Sequence, residues 1–159
     1  MRNYLLGRAT VGGLLAAGLL LIGASAMAAP PVTETTHEKD FVETFVDVVP
    51  SCEPDAPLAT ITTTSNLVEH TTTFDDGRTH ETFTQTGTFV AVPVSDPSVT
   101  FSGHFTVWGG FNANGNVVNG TFTFSVNGTG SDGSTINHHE TNHFNVRPDG
   151  SVNEFFHCH

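Results

Sequence analysis

Val99-Thr100-Phe101-Ser102-Gly103-His104-Phe105-Thr106-Val107-Trp108-Gly109-Gly110-Phe111 is the stretch that decides the fold. Val99, Phe101, Phe105, Val107 and Phe111 share one parity, and Thr100, Ser102, His104, Thr106 and Trp108 share the other. A period of two puts one strand face against a core and the other in water. The pattern repeats outward: Val118, Phe122, Phe124 and Val126 alternate with Thr121, Thr123 and Ser125, and Ile136, Phe144 and Val146 mark a third run. Turn residues punctuate the runs at Asp75-Asp76-Gly77, Ser95-Asp96-Pro97, Asn112 to Asn116, Gly130 to Gly133 and Pro148-Asp149-Gly150, where Gly and Asn supply the positive φ of tight hairpins. Strands are predicted at 37–49, 58–74, 79–92, 99–111, 117–128, 134–146 and 151–158, and a break near Ser65-Asn66 would make eight. The expected fold is all-β: an antiparallel meander that closes into a small seven- or eight-stranded barrel and so abolishes its edges.

Ahead of the strands, residues 1–28 read as a signal peptide. A short basic start (Arg2, Arg8) precedes an apolar run from Val11 to Ile22 and small residues around Ala24-Ser25-Ala26 and Ala26-Met27-Ala28. The run is Gly-interrupted and shorter than the about 20 apolar residues of a membrane span. Residues 29–36 are expected to form a disordered lead, and 37–159 a single β-barrel domain. Removing Arg2 and Arg8 leaves 3 basic against 16 acidic residues, a formal charge of −13. Nucleic acid and anionic lipid both need Lys/Arg clusters, so neither is an expected partner. The expected product is secreted and monomeric.

Both thiols, Cys52 and Cys158, fall after the leader, and an even number in an oxidising compartment favours a bridge. Closing so long a loop removes roughly 4.7 kcal/mol of unfolded-state entropy. Consecutive hairpins reverse direction, so seven crossings end the first and last strands at one pole, within disulfide reach. Eight would leave them roughly 20 to 30 Å apart at about 3.3 Å per residue. A bridge therefore favours an odd count, or a segment after Pro50 that runs back along the barrel.

Ile61-Thr62-Thr63-Thr64, Phe105-Thr106-Val107-Trp108, Gly128-Thr129-Gly130-Ser131-Asp132-Gly133-Ser134 and the terminal Cys158 resemble small secreted actinobacterial proteins. Their outline is similar to the calycin (lipocalin-like) and allene oxide cyclase type of barrel. The resemblance implies an exported barrel; it implies no activity and carries over no catalytic residue.

Parity nominates a site. His138 and Glu140 share a face with Ile136, Phe144 and Val146, and Glu81 and Gln85 share one with Phe83 and Phe89. Ionisable groups on an apolar face are costly unless paired or hydrogen-bonded, so the set is either a structural network or a ligand site. The expected ligand-binding residues are His138, Glu140, Glu81, Gln85, Phe83 and Phe144, holding a small apolar or amphipathic molecule in the lumen. A barrel filled solid by its own Phe side chains is the alternative. A metal-independent isomerase or cyclase with Glu140 as general base ranks below binding, and a structural extracellular protein without a ligand is a third reading.

His139-Glu140-Thr141-Asn142-His143 is a literal H-E-x-x-H. That motif shares a zinc only on a helix, and its flanks, Thr135-Ile136-Asn137 and Phe144-Asn145-Val146, are strand-like. His157 and His159, on one strand face beside Cys158, are either a weak metal pair or a solvated tail. His70 and His80 sit across or near the Asp75-Asp76-Gly77 hairpin. Gly128-x-Gly130-x-x-Gly133 lies between strands with no helix following, so it predicts no dinucleotide. No cofactor and no resident metal are expected.

Overall fold

A computed structural model describes residues 29–53 and 56–158. The residues read as a signal peptide, and His159, lie outside the described ones. Seven antiparallel strands follow in chain order: β1 (Val32–Val48), β2 (Leu58–Thr73), β3 (Thr79–Pro93), β4 (Phe101–Asn114), β5 (Val117–Gly130), β6 (Thr135–Val146) and β7 (Val152–Cys158). They form one sheet in the order β1-β2-β3-β4-β5-β6-β7. β1 begins at Val32, so pairing of Val32–Thr36 with Glu69–Thr73 takes in most of the segment expected to be a disordered lead. No helix among the described residues is long and apolar enough to cross a membrane.

Three hairpins reuse one turn. Asp76-Gly77, Asp132-Gly133 and Asp149-Gly150 each place the glycine at φ +83°, +87° and +80°. The aspartate accepts the backbone N–H two residues on, at 3.1, 2.9 and 2.9 Å. These bonds hold the three carboxyls below their ordinary range, led by the Arg78 backbone amide at Asp76 and by the hydroxyls of Ser134 and Ser151 at the other two. A depressed carboxyl favours the fold at neutral pH and loses that contribution as pH falls through its folded pKa.

The ladders put Ala59, Ile61, Phe89, Ala91, Phe105, Val126 and Ile136 on one face, the inner one, where with Val49 they form the buried core. Phe101, Val107 and Phe124 pack against it. Threonine, serine, asparagine and histidine dominate the outer face.

Closure into a barrel does not occur. β1 and β7 are unpaired edges at opposite ends of the sheet, and among the described residues no Cα of one lies within 8 Å of a Cα of the other. β7 pairs only with Glu140–Val146 of β6. A seven-residue edge therefore stands against a seventeen-residue one. β1 also carries Glu34, Glu38, Asp40, Glu43 and Asp47 against a single Lys39. Charge and irregularity are the other means of guarding an edge, and they replace closure here.

The irregularity is a bulge. The β1–β2 register shifts between Glu38 and Phe41, so Lys39 and Asp40 together oppose Asn66. Asp40 takes φ +54°, and its N–H donates to Asn66 Oδ1 at 3.1 Å. The break expected at Ser65-Asn66 is absent; β2 runs through it, and the distortion falls on the facing strand. Left-handed backbone is costly for a β-branched side chain. Asp40→Val is therefore expected to destabilise by about 1–2 kcal/mol and Asp40→Gly to leave stability within a few tenths of wild type, as urea unfolding midpoints would show.

Candidate functional site

The ladders place His138, Glu140, Glu81, Gln85, Phe83 and Phe144 on the inner face, as parity predicts. They do not form one cluster. Successive cross-strand rows are Gly87–Phe105–Val126–His138, then Gln85–Val107–Phe124–Glu140–Cys158, then Phe83–Gly109–Phe122–Asn142–Phe156, then Glu81–Phe111–Gly120–Phe144–Glu154. The first two rows belong to the packed end of the sheet, and the last two to an open end.

At the packed end the bridge is present: Cys52, in the β1–β2 connection, is joined to Cys158, the last residue of β7, with Cα atoms 5.7 Å apart. It spans the inner side of the sheet without a β1–β7 ladder. β1 and β7 run in the same sense, as an odd strand count requires. The bridge suits an oxidising compartment. Beneath it lies His138, 3 % exposed, with Nδ1 at 3.9 Å from Cys52 Sγ and 3.7 Å from Cys158 Sγ. Its Nε2 is 2.9 Å from Glu140 Oε2, and the Phe124 ring stands edge-on at 5.9 Å. Both imidazole nitrogens thus have neighbours, and Glu140 is engaged with His138. Gln85 donates to the buried Ser65 hydroxyl at 2.9 Å.

The open end is different. Phe83, Phe111, Phe122 and Phe144 are half-buried. The Phe144 ring lies over Gly120 beside Phe111, where a Cβ on that glycine would meet both. Glu69, opposite Phe83, faces Glu81 diagonally. Partial burial, and then the charge of Glu69, push the Glu81 carboxyl above its ordinary value. Asn142, 6 % exposed, donates from Nδ2 to Glu154 Oε1. Its Oδ1 is buried with no hydrogen-bond partner. An acceptor left in that state costs about 1–3 kcal/mol.

Comparison with protein-family models, with curated proteins and with solved structures finds no match.

Among the described residues the remaining histidines lie outward. His139 and His143 occupy a strand, not a helix, and Glu140 points to the other face, so the H-E-x-x-H cannot assemble. His143 Nδ1 meets Thr121 Oγ1 at 2.6 Å. His70 and His80 are not directly opposed; they bond Thr35 Oγ1 and Asn112 Oδ1, each at 2.8 Å. His157 stacks on Phe155. A shallow depression of ≈ 350 Å³ lies along the β2–β4 strands beside Val68, His70, Thr84 and Trp108. Trp108 is the one large aromatic on the polar parity of β4. Sequence parity also puts Asn142 on the face of His138 and Glu140, but an asparagine amid Asn-rich flanks carries no signal that sets it apart.

Proposed function

We propose that this is an exported binding protein whose open inner face takes a small amphipathic amine. Phe83, Phe111, Phe122 and Phe144 receive the apolar body, and the acidic groups and Asn142 receive the N–H donors. The observation that carries the reading is the orphaned Oδ1 of buried Asn142, because a native polar atom in that state calls for a partner. Glu154, bonded to Asn142, and Glu69 and Glu81, on the same inner face farther across the sheet, favour a donor that is also cationic.

The test is displacement of a neutral solvatochromic dye, Nile red, by decylamine, decanol and decanoate below their micellar range. The expected order of potency is amine, then alcohol, then carboxylate. Asn142→Leu removes the acceptor, and Glu81→Gln removes the charge; each should reduce the amine's advantage over the alcohol by about 10-fold, the equivalent of one hydrogen bond to a charged group. Because the Glu81 pKa is raised, the amine's advantage should grow as pH rises through that raised value, and Glu81→Gln should flatten the rise. Absence of saturable dye binding, or decanoate matching decylamine, would sink the reading.

A further inference from the structure

We propose that Cys52, Cys158 and His138 form a redox-gated site for a thiophilic d10 cation of the zinc class, with Glu140 as the positioning residue behind the imidazole. The inference uses the packed end of the sheet and stands apart from the amine-binding reading.

The sulfurs and His138 Nδ1 all lie within 4.8 Å of one another. Tetrahedral zinc with Zn–S of about 2.3 Å and Zn–N of about 2.0–2.1 Å holds sulfur and nitrogen roughly 3.6 Å apart. The observed separations, 3.7 and 3.9 Å, already approach that value. Only the two sulfurs must part, to roughly 3.8 Å.

The far side of the ring is prepared as well. A metal-binding histidine usually donates its other N–H to a carboxylate, which fixes the tautomer and raises the basicity of the ligating nitrogen. Glu140 Oε2, 2.9 Å from Nε2, stands where that carboxylate belongs. With the ring proton on Nε2, Nδ1 presents its lone pair to the sulfurs. Two thiolates and a divalent cation sum to neutrality, so the buried imidazole gains no net charge beside it. Cys52 is exposed, which gives reductant and metal a way in and leaves room for water in the fourth position of an open site.

The steps balance. A dithiol reductant transfers two electrons and two protons to the Cys52–Cys158 bond, the S–S bond breaks, two thiols form and the reductant leaves as its own disulfide. The cation then displaces the two thiol protons to solvent and bonds both sulfurs and Nδ1. It thereby restores a cross-link over the same 106-residue separation that the bridge closed.

The experiment reduces the folded, oxidised chain with a phosphine and titrates Co²⁺ as a spectroscopic probe, then Zn²⁺ in competition. One equivalent of cobalt should give thiolate charge-transfer absorption and tetrahedral ligand-field bands, and the oxidised chain should give neither. Glu140→Gln should weaken binding by about 10- to 100-fold, and His138→Ala by more. Zinc should raise the melting temperature of the reduced chain and leave that of the oxidised chain unchanged. If the reduced chain unfolds, zinc should restore its β-sheet circular dichroism. Failure of reduced protein to bind cobalt, failure of zinc to stabilise or refold it, or unchanged affinity in both variants overturns the proposal.

Discussion

The Cys52→Ser/Cys158→Ser double variant is expected to lose about 4–5 kcal/mol of stability. The bridge closes a 106-residue separation, for which the chain-entropy model gives about 4.7 kcal/mol. A typical domain has about 5–15 kcal/mol in total. This one is at a disadvantage, because its buried apolar core consists of Val49, Ala59, Ile61, Phe89, Ala91, Phe105, Val126 and Ile136, two of them alanine. Since β1 and β7 share no ladder, no row of hydrogen bonds takes over when the covalent tie is cut. Urea unfolding of oxidised wild type and the double variant would measure the loss. Wild type made in a reducing compartment should be correspondingly protease-sensitive. Two titratable thiols per chain in denatured, unreduced protein would remove the bridge and this expectation together.

Strand positions were legible because alternation and turn chemistry are local. The predicted 79–92 and 117–128 differ from Thr79–Pro93 and Val117–Gly130 by one or two residues at an end. The inner parity was legible for the same reason, and it places all six nominated residues correctly by face. Closure was not legible. Whether an edge is abolished by pairing or guarded by charge depends on what two strands more than a hundred residues apart do to each other, and alternation within each says nothing about that. The bulge at Asp40 hid for a different reason: Thr33–Glu38 is polar on both faces, so no alternation leads into Lys39-Asp40, after which the inward set changes from Glu34, Thr36 and Glu38 to Phe41, Glu43 and Phe45.

The meeting of His138 with the two sulfurs lies between these cases. Reflection of the chain about the Asp149-Gly150 turn places Cys158 opposite Glu140, so one half of the juxtaposition follows from the hairpin register. The other half needs the β1–β2 connection to reach the inner face, where Val49 joins the core and its N–H bonds Pro57 O at 2.9 Å. Nothing periodic in residues 49–57 encodes that path. His138, a ligand anchor by parity, is thus covered by a disulfide, and the open part of the inner face lies two and three rows away, at the half-buried phenylalanines.

Gly103→Ala is expected to destabilise by about 3 kcal/mol or more, at or beyond the upper end of the usual cost of overpacking, although alanine is the smallest possible addition. Gly103 lies on the inner face between Phe89 of β3 and Gly128 of β5. A Cβ there would overlap the Asn127 carbonyl and the Gly128 Cα, which are backbone and cannot rotate away. On the partner glycine, a Cβ would stand 2.8 Å from the Phe89 ring edge. The two glycines thus let β4 and β5 lie close on the inner side and make room for the ring that anchors the core, as glycines do where a sheet must curve. Gly77→Ala supplies the contrast. Its φ of +83° strains any L side chain, but nothing lies within 4 Å of the added carbon, so its cost should stay near 1 kcal/mol. Unfolding free energies of the two variants, from urea denaturation, should therefore separate by about 2 kcal/mol. Near-equal losses would mean that backbone conformation, and not the close approach of β4 to β5, governs these positions.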